Sequence, residues 1–414
     1  MSIETPEVTV AKHTPEVTPA ERAELLRRAR DLAVEFDKVG READETRTFP
    51  MAMVPLYKAS GLAAAAVPKK FGGWGADILT TGLIGRELAK GDAGIALAFN
   101  MHQAMVGIFR GTPALEEPAR ERLMRSIADD QLLLCGPFSE ARNGLAGLAD
   151  TVAVPDPEGG WRISGQKNWS TMVEGADLIS LNATITDADG KLPEDFREHA
   201  NRESMFIIAA DLPGISIDRT WDTLGMRATG SQTLVLDNVH VGPEAYAGNF
   251  RLGLIGEAEW AAVLFGGVYM GLADRAYTEA RDILKKKHTG ATAGAQDSAA
   301  KSQGYVQYLL GRMHYEIEVA TRTYERTGEL AIEGRFDNLP ATARKAEFDV
   351  AKVATTEAAI AVTDYALRLV GGQAFRRGHI VERLFRDARA GVQHSFGTDQ
   401  LYDFFGRYEL GLLG

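Results

Sequence analysis

Two changes of texture, near Gln131 and near Asn249, constrain the fold of this chain more than any single motif does. From Pro19 to Val39 the apolar residues Leu25, Ala29, Leu32 and Phe36 recur at spacings of four, three and four. That is the period of a helix with one buried face. Pro19 suits the helix start, where a missing N–H costs nothing. Helical patterning continues over Pro50–Gly61, Leu79–Ala89, Ala93–Arg110 and Ala114–Asp129, punctuated by Gly and Pro at Val67–Asp77 and Gly111–Pro113.

Past Gln131 the runs become short and β-prone: Leu132–Cys135, Thr151–Val154, Trp161–Ile163, Leu178–Thr186, Met205–Ala210, Ile215–Arg219, Thr233–Leu236 and Val239–Val241. Turn residues bound each run, which is the signature of an all-β unit. The polar stretch Asp187–Ser204 within it is expected to be a long exposed insertion. Helical patterning returns after Asn249. Its cleanest stretch is Ala346–Leu367, where Glu357 and Asp364 interrupt an apolar stripe, as hydrogen-bonded or edge-of-stripe acids or, in the alternative reading, as a buried catalytic acid. His288–Lys301, small and polar, is expected to be a loop between long helices. The expected organisation is a flexible tail over 1–18, an N-terminal helical domain over 19–130, a central β-domain over 131–248 and a helical domain over 249–414. At 414 residues the chain exceeds what one hydrophobic core holds.

Composition removes several classes of function. A net charge of −11 argues against a broad nucleic-acid surface, though not against an anionic ligand on a local basic patch. Cys135 is the only cysteine, so neither an intrachain disulfide nor a cysteine zinc site can form. No basic-then-apolar leader and no apolar run of about 18 residues is visible, so a cytoplasmic protein without a membrane span is expected.

Six segments then line up: VPKKFGGWGAD at Val67–Asp77, LCGPFSEARNG at Leu134–Gly144, GQKNWST at Gly165–Thr171, LGMRATGSQTLVLDNVHV at Leu224–Val241, GGQAF at Gly371–Phe375, and Arg383–Gly397. In that order, on that background, the chain resembles the acyl-CoA dehydrogenase family along nearly its whole length. The resemblance implies an α+β fold: a helical domain, a β-barrel-like domain and a C-terminal four-helix bundle, assembled as a homotetramer or homodimer. It also implies FAD bound noncovalently, without a GxGxxG loop. An isoalloxazine is a flat apolar plate with polar edges, needing an aromatic or aliphatic face and hydrogen bonds at its rim. Trp169 with Ser170 and Thr171 would supply face and hydroxyls, Phe138 and Ser139 further contacts, and Gly144 a close backbone approach. In the family the adenine half reaches a neighbouring subunit, which brings in Lys287, Gln303, Gly371, Gly372, Thr398 and Gln400. Lys287 and Gly290 stand where the family has Arg and Phe, so Lys287 keeps a charge for the pyrophosphate but not a bidentate fork. Arg142, after Glu140, is a second departure.

The resemblance also implies α,β-dehydrogenation of an acyl thioester, on CoA or a carrier protein, with electrons leaving to an electron-transfer flavoprotein. That reaction needs a carboxylate base. The family's commonest Glu precedes a Gly-Thr pair, yet Phe396 precedes Gly397–Thr398 here, and Ser395 is the other equivalent. The second family position falls at Ala261. Glu257, one helical turn away on the same face, is the candidate base, whereas Glu259 points elsewhere on an ideal helix. His394, after the RDAR of Arg386–Arg389, resembles a histidine of flavin monooxygenases built on this fold, and His102 lies on a helix that faces the family's pocket. With Arg227 as a candidate substrate contact, the alternatives are such a monooxygenase, fed by a flavin reductase, or a non-catalytic partner subunit.

Overall fold

The computed structural model describes His13 and residues 15–142, 147–253, 257–286, 304–394 and 397–413. Helix α1 (Pro19–Thr46) opens on a reciprocal cap. The Glu21 N–H donates to Thr18 Oγ1 at 3.2 Å and the Thr18 N–H to Glu21 Oε2 at 2.7 Å, the capping-box arrangement. Leu25, Ala29, Leu32 and Phe36 are all buried. The helix outruns Val39 because Gly40 lets it lie against the Asp92 carboxylate, 2.2 Å from where a Cβ would sit. It is followed by α2 (Met53–Ala59), α3 (Ile78–Ala89), α4 (Ala93–Phe109) and α5 (Glu117–Asp130). In α4 every residue but Met101 is buried. That all-round burial marks a helix threaded through a core.

The tail expected over 1–18 is held against the protein at His13 and Glu16. Glu16 accepts from the Lys69 N–H at 2.8 Å and from Arg110 at 3.2 Å, and His13 Nε2 lies 2.7 Å from Glu259. Partners distant in sequence, a main-chain N–H and two largely buried charged side chains, hold it down, and a Thr/Pro/Glu-rich stretch gives no sign of them.

The central domain holds β1 (Leu134–Cys135), β2 (Val152–Pro155), β3 (Trp161–Ser170), β4 (Leu178–Ile185), β5 (Glu203–Ala209), β6 (Ile215–Asp218), β7 (Gln232–Val241) and β8 (Tyr246–Asn249). They form one sheet in the order β6-β7-β3-β2-β4-β5-β8, with β1 beside β4. Most neighbours are antiparallel, but β1 and β2 pair parallel to β4. The Asp187–Ser204 insertion contains a short helix, α6 (Phe196–Arg202), with no buried residue. Strand β8 lacks alternation in its sequence. It depends on Gly248, whose φ of +140° and 1.8 Å spacing from the Ala114 carbonyl to a hypothetical Cβ admit no side chain.

Inside the sheet runs a chain of buried charges. Lys167, with no exposed surface, donates to Glu140 at 2.5 Å and Asn182 at 2.8 Å. Asn182 donates to Glu203 at 2.6 Å, and Arg251 closes the chain on Glu203 at 2.6 Å. Thr151 adds its N–H and hydroxyl to Glu140. A buried ammonium is tolerable only with such partners.

After α7 (Phe250–Gly253) come α8 (Glu257–Lys286), α9 (Gly304–Ile332), α10 (Ala341–Val370), α11 (Ile380–Ala388) and α12 (Thr398–Glu409). Helix α8 is the shared wall, packed on α10 and α9 within the bundle and on α3 and α4 of the N-terminal domain. Asp364 pairs with Arg368 at 2.6 Å on the rim of the α10 stripe. Among the described residues no helix is long and apolar enough to cross a membrane.

Candidate flavin site and active site

The β-domain contributes a fixed pair of loops. The Asn168 N–H donates to the Ser139 carbonyl at 2.9 Å, tying the loop after β1 to the end of β3. The Glu140–Lys167 pair beneath them anchors the same two segments. Above this foundation Trp169 is 62% exposed, its ring edge-on to Trp221 at 5.6 Å between centroids. A large indole left uncovered on so rigid a support fits the stacking face that an isoalloxazine would use. Thr171, Ser231 and Thr229 form a hydroxyl chain at 2.8 and 2.7 Å. It rims the same strand end with groups that donate or accept.

Two expected ring contacts point elsewhere. Ser170 is buried and donates to the Lys167 carbonyl at 3.3 Å, because the bulge between Lys167 and Ser170 turns its hydroxyl inward. Phe138 packs on Phe250 at 5.0 Å and serves as underlay. Gly144, Lys287 and Gln303 lie outside the described residues. Of the remaining candidates for the adenine half, Gly371 and Gly372 face open space. Thr398 is buried with no hydrogen-bond partner for its hydroxyl among the described residues. Gln400 is committed to capping α12, its Oε1 accepting the Gly397 N–H at 3.0 Å.

The bundle contributes His394. It follows the turn after α11 and lies against α8, its ring 4.8 Å from Phe265 and its Nδ1 3.0 Å from the Tyr269 hydroxyl. Lys352 of α10 donates to the His394 carbonyl at 2.7 Å. Burial, with that ammonium pushing the same way, lowers the His394 pKa to about 4. At neutral pH the ring is therefore uncharged. Nε2 has no partner among the described residues.

His102 is the instructive contrast. Its Nε2 bonds the Ala63 carbonyl at 2.9 Å and its Nδ1 accepts the Leu134 N–H at 2.9 Å. Burial lowers its pKa to about 4 as well. Both nitrogens are consumed by backbone, so His102 clips β1 to the N-terminal domain and has none left for proton transfer. Arg227 is likewise turned to architecture. It donates to the Asp44 carbonyl at 2.8 Å and the Thr223 carbonyl at 3.2 Å, joining the β-domain to the end of α1. Glu259 is buried against Arg344 and His13. Glu257 is the first residue of α8, and its side chain lies outside the described residues.

Sequence reasoning missed Asp387. Buried on α11, it accepts the Met226 N–H at 2.6 Å. Burial, reinforced by nearby Asp92 and opposed by Arg383, raises its pKa to about 7. An acid four residues after Arg383 on an amphipathic helix was the available signal. Tyr269 was missed too, since a tyrosine inside an apolar stretch reads as core. No cluster among the described residues could hold a metal ion.

Comparison with known proteins agrees with this architecture. The family models for the acyl-CoA dehydrogenase N-terminal, middle and C-terminal domains match residues 19–124, 139–239 and 263–398 in turn. The L-evernosamine nitrososynthase of a Micromonospora species is 29% identical, over 92% of this chain and 89% of its own. The dibenzothiophene monooxygenase of Mycolicibacterium goodii is 27% identical over 94% and 93%. The FMN-bound structure of TdsC from Paenibacillus sp. A11-2 superposes with a TM-score of 0.80 over 94% of this chain and 97% of that one, at 22% identity, a likeness of fold. With three domain models in unbroken order, each within the unit of the fold it describes, this chain belongs to the acyl-CoA dehydrogenase family of flavoproteins.

Proposed function

We propose that this flavin oxidoreductase is a monooxygenase, taking reduced flavin from a separate reductase and placing one oxygen atom of O₂ on a small organic substrate while the other leaves as water. The observation that carries this reading is His394. Where acyl thioester chemistry would require a carboxylate before Gly397–Thr398, the sequence has Ser395 and Phe396, and the described groups bonded to or stacked on the neighbouring His394 are Tyr269, Phe265 and Lys352. A neutral imidazole with a low pKa is a poor base for an α-proton but a sound hydrogen-bond donor to an oxygen that gains charge. The nitrososynthase and monooxygenase relatives support the same choice. Dehydrogenation of an acyl thioester keeps one candidate base, Glu257.

Bound reduced flavin would supply the electrons and the oxygen-activating centre. The chain's part is to stack the ring on Trp169, hold its rim with the Thr171–Ser231–Thr229 hydroxyls, and present His394 from the bundle side. These features suit the ring shared by FMN and FAD. Gln400, expected at the adenine, has its carbonyl oxygen on its own helix, and a neighbour of the same fold is solved with FMN bound, so FMN is the form we favour over the FAD expected from sequence. A second copy of the chain is expected to cover the exposed stripe Tyr305, Tyr308, Tyr315 and Val319 on α9, which size-exclusion chromatography can check.

The test mixes oxygen with the protein and anaerobically reduced FMN or FAD. A spectral species distinct from both reduced and oxidised flavin is expected before oxidised flavin returns. Its absence, together with bleaching of oxidised flavin by an acyl thioester under anaerobic conditions, would replace this reading by the dehydrogenase one.

A further inference from the structure

We infer that Tyr269 is a positioning residue that fixes His394 as the Nε2–H tautomer, making it a hydrogen-bond donor rather than a proton acceptor. The inference deepens the monooxygenase reading and depends on it only for the use to which the donor is put.

A neutral imidazole carries one proton on either nitrogen, and the bond made by one nitrogen decides the state of the other. Between the Tyr269 hydroxyl and His394 Nδ1, 3.0 Å apart, a single proton lies on the line of contact. If Nδ1–H donated, the phenolic proton would be left without an acceptor in a fully buried site, since the Tyr269 side chain has no exposed surface and no second hydrogen-bond partner among the described residues. A buried donor left unpaired bears its whole desolvation penalty. If the hydroxyl donates, its proton is satisfied, Nδ1 serves as acceptor, and the imidazole proton moves to Nε2, on a ring that is only partly buried and so can meet water. The second arrangement is therefore favoured by roughly ten-fold or more.

Three further contacts keep the ring in that state. Burial holds the Tyr269 hydroxyl far above its usual pKa, so it stays a donor. Lys352 holds the His394 backbone through its carbonyl and opposes a positive charge on the ring. Phe265, tilted 30° to the imidazole, fixes its plane. The outcome is one N–H, at Nε2, with no partner among the described residues.

The contrast with His102 shows that the device is specific. His102 is also an Nε2–H tautomer, because Nδ1 accepts from a backbone N–H, but its Nε2 proton is already given to the Ala63 carbonyl. Both rings are set by the partner at Nδ1, and only His394 has a donor to spare.

The test uses the full chain labelled with ¹⁵N-histidine and long-range ¹H–¹⁵N correlation, with His394→Asn identifying the resonance. The wild-type protein is expected to show His394 as Nε2–H. In Tyr269→Phe, which removes one oxygen atom, the Nδ1–H form should rise at least roughly ten-fold, with the His102 signals unchanged. A wild-type His394 protonated at Nδ1 would overturn the inference without any variant, as would a Tyr269→Phe protein whose tautomer does not move. Oxygen transfer measured on the same samples separates the two levels. A tautomer that shifts as described in a protein that never transfers oxygen supports the role of Tyr269 and removes the monooxygenase reading.

Discussion

The surroundings of His102 and His394 differ in a way that their pKa values do not reveal. Both imidazoles are held to about pKa 4. At His102 the neighbours are a carbonyl and an N–H of the main chain, and the ring is used up in joining β1 to the segment before α3. At His394 they are a phenol, a phenyl ring and an ammonium that binds the backbone, so one ring nitrogen is left over. A perturbed pKa marks a buried group; only the count of satisfied nitrogens distinguishes a clip from a reagent.

The largest effect expected from breaking this contrast is on catalysis. His394→Ala should lower oxygen transfer per folded molecule about a thousand-fold and cost about 1–3 kcal/mol of stability through the orphaned Tyr269 hydroxyl, as read from turnover with a flavin reductase alongside calorimetry. Activity within threefold of wild type would erase the distinction. Next comes His102→Ala, which orphans the Leu134 N–H and the Ala63 carbonyl. A loss of about 3 kcal/mol is expected in denaturant unfolding, with turnover per folded molecule unchanged.

A pH series sharpens the comparison from a third site. Each histidine has its folded pKa below the unfolded value of about 6.5, so both withdraw stability as pH falls from there toward about 4. Asp387, its pKa raised to about 7 among Asp92, Asp44, Arg383 and Arg386, has the opposite sign. Its contribution is full below about pH 4 and is lost as pH rises through 7. Asp387→Asn keeps an acceptor for the Met226 N–H and should gain on the order of 2 kcal/mol relative to wild type between pH 5 and 7.5. An unchanged difference between the two proteins across that range would show that Asp387 does not titrate there. The smallest effect belongs to Trp169→Ala. Flavin should bind roughly five- to ten-fold more weakly by fluorescence titration, with stability altered by no more than about 0.5 kcal/mol because the indole is exposed.

The sequence carried the architecture well, because amphipathic periods and turn residues are local signals. The buried positions of α1 and most strand runs follow directly from them. The ring-binding loops were legible as ordered segments. What escaped was decided by partners distant in sequence: Glu140 with Lys167, Asp387 with Met226, Tyr269 with His394. Ser170 was misassigned because a bulge reverses a side chain without changing any residue type. His102 looked reactive because no sequence pattern shows that two main-chain groups, at Ala63 and Leu134, will meet its ring.

The Lys167 chain has a consequence for how the sheet finds its pairing. Side chains on a strand alternate between faces, so sliding β3 by one residue against β7 would carry Lys167 outward. Glu140 would then be buried with no cation, and the Asn182 carbonyl oxygen would lose the ammonium that it accepts from. Removing one partner of a buried pair costs about 3–5 kcal/mol, a penalty that apolar side chains, nearly interchangeable in a core, do not impose. The chain of charges thus works as a key cut for a single alignment, and the strand that presents Trp169 is the one it locks.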